Sequence, residues 1–133
     1  MKVLTLSIKQ KFFDQIVNGT KKKEFRFLSP STFSKHAKYV DENGKEYSDG
    51  SEIPDDAQSI DIMPLGYDAL KLCTGAYKGK RPYIVVKINK TEIELFSDKN
   101  GELITYEHNG QEYVECQAIY HLGGIIETFD GNF

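Results

Sequence analysis

Four Asn-Gly dipeptides punctuate this chain, at 18–19, 43–44, 100–101 and 109–110, and a Gly-Gly pair stands at 123–124. Asn and Gly tolerate the left-handed backbone that closes tight hairpins and ends helices. Between these stops the apolar residues come in short runs, so the chain must turn back on itself often. The stretch before the first stop is the exception. Ile8, Phe12, Phe13, Ile16 and Val17 recur at helical spacing, with Lys9, Lys11, Asp14 and Gln15 outside the stripe. Ser7-Ile8-Lys9-Gln10 has the form of a capping box, in which the Ser7 hydroxyl accepts from the Gln10 amide and the Gln10 side chain reaches back. Asn18-Gly19 supplies the stop.

The remaining apolar runs read as strands. They lie at 2–6, 23–27, 68–73, 83–94 and 113–121, with Gly123-Gly124 expected to break the last before 125–129. Residues 38–47 form a hairpin around Asn43-Gly44. About six or seven strands, one strong helix and no repeated βαβ unit give a fold that is mainly β with helices (α+β). The strand spacing suits a small closed or half-open barrel. From 28 to 61 the composition turns polar and acidic around Pro30 and Pro54, which predicts an insertion without its own core. At 133 residues the chain is expected to be one domain, 1–133, carrying that insertion.

With 39% hydrophobic residues the chain can bury a core. It has no apolar run of about 18 residues, which excludes a membrane-crossing helix, and its first residues do not read as a secretory signal. Cys73 and Cys116 stand alone in apolar contexts, as expected of reduced buried thiols in a cytoplasmic protein. His36, His108 and His121 do not cluster, so neither a metal nor another cofactor is implied. The net charge of −3 hides a segregation. Residues 1–26 carry seven Lys/Arg against two acids, and 71–90 carry six against none. Residues 27–70 hold three against nine acids, and 91–133 one against nine.

The basic blocks contain the candidate chemistry. Gly19-Thr20-Lys21-Lys22-Lys23-Glu24-Phe25-Arg26 runs from the helix stop into a strand that puts Glu24 and Arg26 on one face. Two cations and a carboxylate at such a corner suit a small anionic or nucleobase-like ligand, although a structural ion pair would use the same residues. The loop before the long strand interleaves Tyr77, Lys80, Arg81 and Tyr83. Rings that stack on bases, mixed with cations that meet phosphates, suit single-stranded nucleic acid, and a solvated turn has the same composition.

The 19–26 stretch resembles the G-x-K-x-x-E-x-R signature of the ASCH family, a branch of the PUA-like fold linked to RNA. The likeness is strongest over 4–26 and returns more weakly at 67–93 and 120–127. The resemblance implies a PUA-like barrel that binds RNA or a nucleotide in a basic cleft lined by Lys21, Glu24 and Arg26. In the family's acetylcytidine amidohydrolase branch the residue matching Lys21 is catalytic and works with a Thr where this chain has Glu24. Thr20 lies on the wrong side of Lys21 to replace it. The alternatives are a hydrolase acting on a modified nucleoside or on RNA, with Lys21 and Glu24 as the catalytic pair, or a protein-interaction module built on the acidic insertion.

Overall fold

The computed structural model describes residues 1–75 and 81–130; Tyr77 and Lys80 lie outside the described residues. Within them the chain forms ten strands, two helices and one 3-10 turn. In order these are β1 (Val3–Ser7), α1 (Gln10–Val17), β2 (Lys23–Phe27), α2 (Phe33–His36), β3 (Ala37–Asp41) and β4 (Glu46–Tyr47). The 3-10 turn (Gly50–Glu52) precedes β5 (Ile60–Pro64), β6 (Ala69–Cys73), β7 (Tyr83–Leu95), β8 (Thr105–His108), β9 (Gln111–Val114) and β10 (Cys116–Phe129). The fold is mainly β with helices, as the spacing of turns and apolar runs predicts. No helix among the described residues is long and apolar enough to cross a membrane.

Five strands pair in the order β1-β6-β7-β10-β2, with β1 and β2 as the edges, and closure into a barrel is not among the described pairings. A second sheet runs β4-β3-β5, and β8 pairs with β9 alone. In the large sheet β1 and β6 are parallel, from Val3↔Ala69 to Ser7↔Cys73, and β6 and β7 antiparallel, from Ala69↔Lys87 to Cys73↔Tyr83. β6 is buried along nearly its whole length, and Ala69, Leu70, Leu72 and Val86 are fully enclosed. Each large aliphatic side chain so enclosed contributes about 1.5–3 kcal/mol relative to exposure.

The chain divides into two compact units. The first comprises 1–24, 66–91 and 120–133, and the second 25–65 and 92–119. β2, β7 and β10 each run without interruption from residues of one unit into residues of the other.

Three expectations need correction. The capping box does not form. Ser7 remains in β1, paired with Cys73, and the helix is capped by Lys9 without a side-chain bond. The Gln10 side chain instead donates to Asp14 Oδ1 at 2.9 Å and accepts from the Thr74 hydroxyl at 2.9 Å.

Gly123-Gly124 does not break the last strand, since β10 runs through both glycines. Neither has a positive φ. A side chain at Gly123 would put its Cβ 2.7 Å from Asn89 Oδ1, so the missing side chain gives room to β7's Asn89. The run expected at 113–121 is instead divided between β9 and β10.

The 28–61 segment is not coreless. It buries Leu28, Phe33, His36, Ala37 and Tyr47 and supplies the three-stranded sheet with β3, β4 and the first two residues of β5.

The hairpins at the Asn-Gly pairs form as read. β3 and β4 pair Tyr39↔Tyr47 and Val40↔Glu46 around a left-handed Gly44. At the β8–β9 turn Asn109 and Gly110 both have positive φ, 52° and 78°, the geometry of a type I′ turn.

Candidate functional site in the first unit

The end of α1 determines where Lys21 goes. Gly19 takes a left-handed φ of +83°, which folds the chain back over the last helical turn. The amides of Thr20 and Lys21 then both donate to the Gln15 carbonyl, at 2.9 and 3.0 Å. Asn18 Oδ1 accepts from the Thr20 amide at 3.0 Å and from its hydroxyl at 2.6 Å. This locks the turn and engages the Thr20 hydroxyl. The Lys21 side chain runs back along the helix, with Nζ 5.2 Å from the centre of the Phe12 ring. Its Nζ lies 3.3 Å from Glu24 Oε1, and the two side chains are 17% and 7% exposed.

β2 alternates as the sequence predicts: Glu24 is buried and Arg26 half-buried, while Lys23, Phe25 and Phe27 are exposed. The Lys22 carbonyl accepts from the Leu122 amide of β10 at 2.9 Å, which fixes the corner at the sheet edge. A carboxylate this enclosed is stable as an anion only with a cation and hydrogen bonds around it. The 3.3 Å Lys21 contact therefore contributes to the corner whatever else the pair does.

Arg81 and Tyr83 gather at a second place in the same unit. Arg81 donates through Nε to the Thr74 carbonyl, through Nη1 to Ser7 Oγ and through Nη2 to the Cys73 carbonyl, each at 3.2 Å. The guanidinium thus ties together the ends of the parallel pair β1–β6. The Tyr83 hydroxyl donates to Glu127 Oε2 at 2.6 Å, and this bond raises the phenol's pKa. Lys71 Nζ lies 4.2 Å from the centre of the Tyr83 ring, and Phe129 packs 5.4 Å away. Tyr83 also lines an open groove of about 560 Å³ with Gln10, Phe13, Val17, Ile84 and Phe129.

The structure therefore brings Lys21 to Glu24, sets Tyr83 in the wall of the groove along α1, and ties Arg81 to Ser7, Cys73 and Thr74. Lys21 and Glu24 are not among the residues that line that groove. Arg26 belongs to the second unit by chain position. The partners Glu127, Lys71 and Thr74 were not legible in the sequence, because strand register alone sets them near Tyr83 and Arg81.

Charge follows the units closely. The first unit's sequence holds twelve Lys/Arg against five Asp/Glu, and the second holds five against fifteen. Apart from Arg26, both basic segments fall in one compact body, where their fields add.

The histidines remain apart. His36 is buried in α2, and desolvation, helped by the charges of Arg26 and Lys35, lowers its pKa to about 4. No group of three or more His, Cys, Asp or Glu among the described residues could hold a metal ion. Cys73 and Cys116 are buried free thiols, and burial pushes the Cys116 thiol up. Comparison of the chain with family models, with curated proteins and with solved structures finds no match.

Proposed function

We propose that this chain is an ASCH-like domain of PUA-like barrel type that binds RNA or a nucleotide through its basic unit. The observation that carries the reading is the Lys21–Glu24 pair, set at the helix-to-strand corner in a unit with twelve Lys/Arg against five acids. Lys21 keeps 17% of its side chain exposed at that corner and meets a phosphate or a base carbonyl. Glu24 orients the ammonium by pairing with it. Arg26, on Glu24's side of β2, offers a guanidinium that can fork onto phosphate. Arg81 adds positive field near Tyr83, whose ring is of the kind that stacks on a base.

Fluorescence anisotropy with a short single-stranded RNA tests this. Wild type is compared with Lys21→Ala and Arg26→Ala at two salt concentrations. With about three phosphates neutralised, log affinity should fall with log salt at a slope of about −2. Each substitution should weaken binding and flatten that slope. Binding that ignores salt, or that survives both substitutions unchanged, refutes the reading.

The burial of Glu24 beside a lysine favours one second reading, a hydrolase acting on a modified nucleoside. There Lys21 stabilises developing charge and Glu24 moves the proton. Turnover of a modified nucleoside that is lost in Glu24→Gln while binding persists would select it. Binding without turnover by wild type would discard it.

A further inference from the structure

The second unit carries a cavity of about 240 Å³ whose chemistry is opposite to that of the first unit. Three of its walls are aromatic: Phe33, Tyr39 and Tyr113. Phe33 and Tyr39 stack with centroids 4.5 Å apart, and Tyr113 is braced by Tyr106 at 5.7 Å. Two carboxylates complete the lining, and both are held in place. Asp49 Oδ1 accepts from the Ser51 amide at 3.0 Å, and Glu52 Oε1 accepts from the Ser48 hydroxyl at 3.1 Å. No lysine, arginine or histidine lines the cavity. Gly50 also lines the cavity, where a Cβ would meet the end of the Gln111 side chain.

The ligand class follows by elimination. Carboxylates repel an anion, and the unit's fifteen acids against five cations deepen the negative field. A divalent metal would need more ligands, and among the described residues no three His, Cys, Asp or Glu come together. Aromatic faces and carboxylates together suit an ammonium ion, which the ring quadrupole attracts within about 6 Å and which carboxylates and hydroxyls can accept from. The volume lies below the roughly 300–1,000 Å³ of drug-sized pockets, so the ligand is small. The Tyr39 phenol, pushed up to about 12 chiefly by burial, remains a neutral ring at ordinary pH.

We infer that this cavity binds a small organic ammonium ion, of the size of an alkylammonium or the head of a lysine side chain. The site is independent of the Lys21 corner, so either can fail without the other.

Titration of the full chain with n-butylammonium, tetramethylammonium and n-butanol, followed by amide chemical shifts, tests it. Both cations should shift the signals of Tyr39, Gly50 and Tyr113 and bind at least about tenfold more tightly than the neutral alcohol. Tighter binding of butylammonium assigns the selectivity to the carboxylates and hydroxyls; tighter binding of tetramethylammonium assigns it to the rings. A lysine-containing tetrapeptide that binds more tightly than butylammonium makes the natural ligand a lysine side chain, and a weaker one makes it a free amine. Asp49→Asn and Glu52→Gln, at exposed positions that leave the core intact, should each weaken the cations about tenfold while leaving butanol unchanged. Shifts confined to other residues, equal binding of butanol, or undiminished binding by the folded double variant overturns the assignment.

Discussion

His36 makes the second unit's stability depend on pH in a window that few other groups share. The residue is 3% exposed at the end of α2, and burial, then the charges of Arg26 and Lys35, oppose its protonation. Its pKa falls from 6.5 in the unfolded chain to about 4 in the fold. Between those values the unfolded state binds the extra proton, so stability is fully present above about pH 6.5 and is lost as pH falls toward 4. At about 1.4 kcal/mol per pKa unit, the full loss is about 3.5 kcal/mol, and about 2 kcal/mol of it should be gone by about pH 5.

The depressed carboxylates act lower down. Glu42 is held below its usual range by its own amide and those of Gln58 and Ser59, and Asp49 by the Ser51 amide. Their contributions are lost only as pH falls below the ordinary carboxylate range. Urea unfolding followed by circular dichroism at about pH 7.5 and about pH 5 would measure the effect. Wild type should lose about 2 kcal/mol between the two, and His36→Gln less than about 0.5 kcal/mol. The variant starts from a lower stability, so the comparison rests on the slope. Parallel slopes in the two proteins would refute a neutral, desolvated His36.

Other outcomes are equally checkable. Gly19→Ala forces an L side chain into φ +83° and should cost about 1 kcal/mol in urea unfolding, with wild-type stability refuting the left-handed cap. Lys21→Met leaves the buried Glu24 without its 3.3 Å cation and should cost about 1–3 kcal/mol. That loss should shrink when Glu24→Gln is added. A thiol reagent at about pH 8 should label neither Cys73 nor Cys116 until urea unfolds the chain, and prompt labelling would contradict their burial.

Local rules read well where one element decided its own conformation. The helix at Gln10–Val17, its Asn18-Gly19 stop and the alternation of β2 all follow from neighbours in sequence, but the stripe is only partly used: Ile8 precedes the helix, Ile16 is buried, and Phe12 and Val17 stay exposed. The Lys21–Glu24 pairing was legible for the same reason, being three residues apart across one corner. Failures came where distant chain decided. Ser7 was read as a cap, but parallel pairing with Cys73 keeps it in β1. Gly123 was read as a break, but β10 runs through it with its missing side chain leaving room for Asn89 of β7. The 28–61 segment was read as coreless because its buried residues are few and scattered. Phe33 stacks on Tyr39 of β3, and Tyr47 of β4 pairs opposite the same Tyr39. The ammonium cavity was invisible for that reason too, since Tyr113 joins residues 30–52 from far along the chain.

The crossing strands have a practical consequence. The first unit is assembled from three separate stretches of sequence and the second from two, and three of the junctions fall inside β2, β7 and β10. No single cut in the gene therefore yields either body, and a fragment ending at any of those junctions would sever a strand within its length. The two opposite chemistries, one cationic and one anionic, can be separated only by substitution at individual positions.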